Sequence, residues 1–170
     1  SEDSILVILN NGEFYTTNFD LSNHYEDNVQ IVEKYDPNKV WSAALYDADQ
    51  QNYPYLKRFC FEATTKKQNF LGDNKHTQLI LLTCQVYPRI QVDFGGHDSF
   101  REALILEASD FVGVKSFKAK GKRLTTYTVG QITELEPTRM PESEPEEPEK
   151  EEDGMEEDES QEDDGQMKLF

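Results

Sequence analysis

Along most of the first 135 residues, short apolar or β-branched runs are broken by turn residues, a pattern that predicts strands. ILVIL (5–9), NNG and EFYTTNF (13–19) place two such runs around a tight turn, where Gly12 supplies the positive φ that hairpins favour. NVQIVEK (28–34) alternates like a half-buried strand. VWSAALY (40–46) and YLKRFCF (55–61) flank the polar loop DADQQNYP. QLILLTC (78–84) and RIQVDF (89–94) flank QVYP, and FVGVKSF (111–117) and RLTTYTV (123–129) flank KAKGK. We read four hairpin units, beginning near residues 5, 40, 79 and 111. Gly12-x-x-x-Thr16-Thr17 recurs as Gly121-x-x-x-Thr125-Thr126, and Tyr53-Pro54 as Tyr87-Pro88, so propeller-like or solenoid blades are expected. FREALILEASDF (100–111) stays open between helix and strand: it is rich in helix formers, with Phe100, Leu104, Ala108 and Phe111 at helical spacing.

Composition divides the chain in two. Of its 19 aromatic residues only Phe170 lies beyond residue 140, so residues 1–140 can bury a core. The segment PESEPEEPEKEEDGMEEDESQEDDG (141–165) cannot offset its ordering entropy by burial, and we expect a disordered acidic tail. Charge divides likewise. The first 140 residues carry 15 Lys and Arg against 19 Asp and Glu, and the last 30 carry 2 against 15. Most of the formal net charge of -17 therefore belongs to the tail, and a basic patch on the nearly neutral body is physically reasonable.

Several chemistries find no support. Cys60 and Cys84 make no disulfide framework, and reduced thiols in a cytoplasmic setting are the expectation. No 18-residue apolar run or signal peptide is present, so no membrane partner is expected. The chain lacks an initiator Met and enters a strand almost at once, so we expect a piece of a longer protein. Asp47-x-Asp49 begins like a calcium loop, but Arg58 stands where the bidentate Glu belongs. His24, His76 and His97 are far apart without ligand-spaced partners, so no metal site is expected. No catalytic constellation emerges: Cys84 has no base near it in sequence. Trp41 and the Tyr and Phe set are expected to be packing residues.

SILVILNNGEFYTTNFDLSNHYEDN, DPNKVWSAALYDADQQNYPYLKRF, YPRIQVDFGG, FVGVKSFKAKGKRLTTY and ELEP, in this order across residues 4 to 137, resemble one family. It is the C-terminal domain of the A subunit of bacterial type IIA topoisomerases, the DNA gyrase and topoisomerase IV group. The resemblance implies an all-β fold, a β-pinwheel of propeller-like blades whose basic perimeter binds and bends duplex DNA. The chain is shorter than a full disc of this kind, so a partial set, its last blades, is expected. It also implies that the domain is not itself an enzyme and needs no cofactor. Bond chemistry, with ATP and Mg, would belong to the parent enzyme, and the partners would be the catalytic core of the same A subunit and the ATPase-bearing B subunit. A nucleoid-associated, cytoplasmic setting follows. The Q-R-R-G-G-x-G box of gyrases does not occur here, which favours a topoisomerase IV-like role unless the box lies upstream.

On that reading the DNA-binding candidates are Lys57, Arg58, Lys66 and Lys67 in one cluster, Arg89 and Arg101 singly, and Lys115, Lys118, Lys120, Lys122 and Arg123 in the densest cluster. Lysine and arginine at phosphate spacing suit backbone contact rather than base reading. The bland reading is that loop lysines keep a β surface soluble. The acidic tail is either a solvating appendage or a tethered polyanion competing with DNA for the body. QMKLF (166–170) resembles the pentapeptide that docks on the bacterial sliding clamp, with Gln166, Leu169 and Phe170 as the contact residues. The alternative function is a β-repeat protein-interaction module, with tail and terminal peptide carrying the recognition.

Overall fold

Leu6, Val7, Ile8 and Leu9 are four consecutive buried residues, which a strand accommodates only when both of its faces are covered. The computed structural model describes residues 4–20 and 22–141. The acidic segment and QMKLF, apart from Pro141, lie outside the described residues. All the strands belong to one compact unit, residues 1–139.

Strands β1 (Ser4–Leu9) and β2 (Glu13–Asn18) form the expected hairpin, pairing Ile8 with Phe14 through Ser4 with Asn18. β3 (Val29–Lys34) covers the other edge of β1, giving the order β3-β1-β2. β4 (Val40–Asp47) and β5 (Tyr53–Cys60) pair along their whole length, as expected. β6 (Gln68–Asn69) returns to the first sheet and covers β2. β7 (Gln78–Thr83) lies on β4. β8 (Arg89–Phe94) pairs with β9 (Leu104–Glu107), which runs directly into a single helical turn, α1 (Ala108–Phe111). β10 (Val114–Lys115) and β11 (Lys122–Arg123) both lie on β5, and β12 (Val129–Leu135) pairs with β8.

The all-β class holds, but the repeat differs from the expected one. Three sheets, centred on β1, β4 and β8, replace four hairpins, and the described residues show no closed disc. QVYP joins two sheets instead of turning a hairpin, because β7 pairs with β4 and β8 with β9 and β12. KAKGK likewise joins two strands that both pair with β5 and not with each other. The physical reason is burial: Phe117 and Leu124, on either side of KAKGK, are sunk into cores that an isolated hairpin would leave open. Segment 100–111 divides between strand and helix, since pairing with β8 claims residues 104 to 107.

Two cores separate the sheets. The first joins Leu6, Ile8 and Phe14 to Trp41, Phe59 and Phe70. The second joins Ala44 and Leu56 to Ile90, Val92, Leu124 and Ile132. Phe14 sits edge-on to Phe61 at 4.8 Å and to Phe117 at 5.0 Å, so the loop before Gly121 is anchored in the first core.

Candidate nucleic-acid interface

Segment 111–124 is fastened to β5 at three points. Phe117 is buried, and its carbonyl accepts the Lys57 ammonium. Gly121 has φ +93°, and a Cβ there would stand 2.6 Å from the Leu56 carbonyl oxygen. Only glycine allows that approach. Leu124 is buried, and its N–H donates to the Pro54 carbonyl at 2.8 Å. Between these fastenings Lys115, Lys118, Lys120, Lys122 and Arg123 are all exposed. Lys115, Lys120 and Lys122, with Gly113, Ala119 and Gly121, line a recess of about 430 Å³.

Each cation meets different neighbours. Lys120 Nζ lies 3.2 Å from Asp49 Oδ2 and 3.9 Å from Asp47 Oδ2. Asp47 is fixed by its own turn, accepting from the Asp49 N–H and from Gln50 Nε2, each at 2.9 Å. Hydrogen bonds from Asn74 and then Lys120 hold the Asp49 carboxyl below the usual carboxylate range. Lys122 Nζ donates to the Phe111 carbonyl at 3.4 Å and sits 4.5 Å from the Phe111 ring centre. The Arg123 guanidinium lies 5.0 Å from the Tyr53 ring centre. These neighbours leave Lys115, Lys118, Lys122 and Arg123 without an ion pair among the described residues.

The other candidates fare differently. Lys57 is not a surface cation: it is 4% exposed, and its ammonium donates to the carbonyls of Phe70 and Phe117. Burial first, and Lys120 second, push its pKa down to about 8 against the pull of Asp47. Arg58 is half-buried, with Nη1 donating to the Val112 carbonyl at 3.1 Å, and burial lowers its pKa. Lys57 and Arg58 therefore hold the loop rather than face a ligand. Arg89 pairs with Glu107 at 3.1 Å. Arg101 pairs with Asp98 at 2.9 Å and stacks 3.5 Å from the Tyr127 ring centre. Both carry a carboxylate partner already, as Lys120 does and as Lys115, Lys118 and Lys122 do not among the described residues.

Lys66 and Lys67 are exposed on the segment that covers β2, in the place that 111–124 occupies on β5. The Lys67 ammonium meets Glu26 at 2.7 Å, and that hydrogen bond raises the Lys67 pKa and lowers that of Glu26. Cations thus recur at the same place on two successive sheets. Three further exposed cations, Lys34, Lys75 and Arg139, went unnoticed in the sequence because each stands apart from the clusters there; the Arg139 guanidinium lies 3.8 Å from the Tyr87 ring centre.

Among the described residues no group of three or more His, Cys, Asp or Glu side chains could hold a metal ion. No helix among the described residues is long and apolar enough to cross a membrane. Residues 1–136 match the family model described as Topoisomerase C-terminal domain, Bacteroidota. No curated protein matches the chain.

Proposed function

The chain belongs to the family of topoisomerase C-terminal domains of Bacteroidota, and from that premise we propose that it is the DNA-holding domain of a type IIA A subunit. In this reading segments 111–124 and 62–72 grip the phosphates of duplex DNA and bend it. The held duplex is the transported segment, presented to the catalytic core elsewhere in the parent enzyme. Cleavage and ATP use stay with that core and with the B subunit, in the bacterial cytoplasm.

One observation carries the proposal: five cations stand exposed on a segment whose backbone is fastened by Phe117, Gly121 and Leu124. A mobile lysine tail would lose conformational freedom on binding DNA, whereas fastened backbone has already lost it. Phosphate contacts carry no base information, so little sequence preference is expected.

The test is duplex binding as a function of salt. Each phosphate neutralised contributes about 0.9 to the slope of log affinity against log salt. Replacing Lys118, Lys120, Lys122 and Arg123 together with Ala should weaken binding and flatten the slope by about 2 to 4. An unchanged slope would remove this segment from the interface.

A further inference from the structure

Each sheet repeats one three-strand unit: β3-β1-β2, β7-β4-β5 and β12-β8-β9. A register shift marks the same point in all three, between Ile8 and Leu9, between Ala44 and Leu45, and between Asp93 and Phe94 opposite Gln131 and Val129. On that register Thr16 of β2, Arg58 of β5 and Ile105 of β9 are equivalent, lying opposite Leu6, Ser42 and Gln91. Tyr15, Lys57 and Leu104 are then equivalent too.

The outer edges of β2 and β5 are filled. β6 covers β2, and the Thr16 N–H donates to the Thr64 carbonyl at 2.6 Å. β10 and β11 cover β5. No described strand pairs with the outer edge of β9. Exposure follows: Thr16 is 7% and Lys57 4% exposed, while Ile105 is 49% and Leu104 36% exposed. An open edge with apolar side chains is a template for another strand.

The vacancy suits one segment and not a fourth sheet. Gln91 and Asp93 stand where the first sheet has buried Leu6 and Ile8 and the second has buried Ser42 and Ala44. Gln91 Nε2 donates to Asp93 Oδ1 at 2.9 Å, so this face is already polar and self-satisfied. Packing an apolar sheet on it would strip water from a carboxylate.

The filled edges also indicate the chemistry of an occupant. Each seats a lysine against an acid: Lys67 against Glu26 at 2.7 Å, and Lys120 against Asp49 at 3.2 Å. At the open edge Glu102 is exposed, with no ion pair among the described residues, and Asp93 lies on the adjoining strand. We propose that the free edge of β9, from Glu102 to Glu107, docks a lysine-bearing extended segment of a partner protein as an added strand. A second copy of this chain is a poor occupant, since its own lysine-bearing segments are seated on its own β2 and β5.

The probe is the peptide VGVKSFKAKGKRLT, residues 112–125 of this sequence, offered to the full chain. A scrambled peptide of the same composition controls for capture by the acidic segment. The ordered peptide should bind about tenfold tighter than the scramble and slow hydrogen exchange of the amides from 103 to 107. Ile105→Lys, checked for an unchanged melting temperature, should abolish that margin. If this variant fails to fold, protection of 103–107 in the unaltered chain decides. Equal binding of the two peptides, protection elsewhere, or a margin that survives Ile105→Lys overturns the proposal. Self-association lost on Ile105→Lys overturns it too, by making a second copy the occupant.

Discussion

Lys57, buried in the middle of β5, donates its ammonium to the carbonyl of Phe117, in the middle of the cationic loop. The same ammonium donates to the carbonyl of Phe70, on the segment that covers the first sheet. One buried charge therefore ties both lysine-bearing segments to the second sheet. Burial pushes its pKa from 10.5 down to about 8. Between these values the unfolded chain holds a proton that the folded chain has released, so stability contributed by this group rises with pH. The gain is about 2 kcal/mol between pH 7.5 and 9.5. Lys57→Met should lose this rise, read as the difference between the two proteins in denaturant titrations at both pH values. A difference that does not move with pH would mean that Lys57 titrates normally.

Gly121 and Gly113 make a matched pair on the same segment. A Cβ at Gly121 would collide with the Leu56 carbonyl at a φ of +93°, whereas one at Gly113 meets nothing within 4 Å. Gly121→Ala should cost about 2–3 kcal/mol and speed exchange of the Leu124 amide, whose bond to Pro54 the loop would lose. Gly113→Ala should stay within about 0.5 kcal/mol of the parent. Equal effects would show that the loop is not fastened at Gly121.

The contrast between Lys57 and Lys120 shows how far the sequence could be read. Local signals worked: the period of ILVIL and EFYTTNF, with Gly12 between them, marked a hairpin that forms as expected. The cationic loop was equally plain, because five charges in nine residues need no tertiary context. The placement of β10 and β11 on β5 is a long-range choice made by buried Phe117 and Leu124, and no local pattern announces it. Lys57 misled for the same reason. Pro54 to Lys57 are all buried, so β5 is covered on both faces and alternation no longer tells inside from outside. The echoes Gly12/Gly121 and Pro54/Pro88 fall at non-equivalent places: Gly12 turns from β1 to β2, while Gly121 lies on the segment that covers β5. The three equivalent register shifts carry the real repeat, and bulges leave little trace in composition.

If segment 111–124 grips DNA as proposed, Asp49 competes with phosphate for Lys120. The pair is exposed on both sides, so it adds little to stability, about 0–1 kcal/mol. Asp49→Asn frees the ammonium and removes a negative charge beside the recess lined by Lys115, Lys120 and Lys122. Duplex affinity at low salt should rise about threefold, with a melting temperature close to the parent's. Filter binding on both proteins at two salt concentrations checks this, and the gain should shrink at the higher one. Weaker binding of Asp49→Asn would mean that Asp49 positions Lys120 and does not compete for it.

On the reading of the acidic segment as a tethered competitor, the same competition recurs on a larger scale. The last 30 residues carry 2 basic and 15 acidic side chains, against five cations exposed on segment 111–124. A tethered polyanion reaches a high effective concentration beside the body that carries it, so it opposes DNA wherever both seek the same ammonium groups. Deleting residues 141 to 165 should then tighten duplex binding at low salt by about tenfold, with the gain vanishing as salt screens both interactions. The pattern across variants is the sharper readout. If the tail and DNA share the loop, the gain from deletion should fall steeply in the protein lacking Lys118, Lys120, Lys122 and Arg123. A gain of the same size in that protein would show general repulsion between DNA and an acidic chain. No gain in either protein would leave residues 141 to 165 as a solvating appendage with no part in DNA binding.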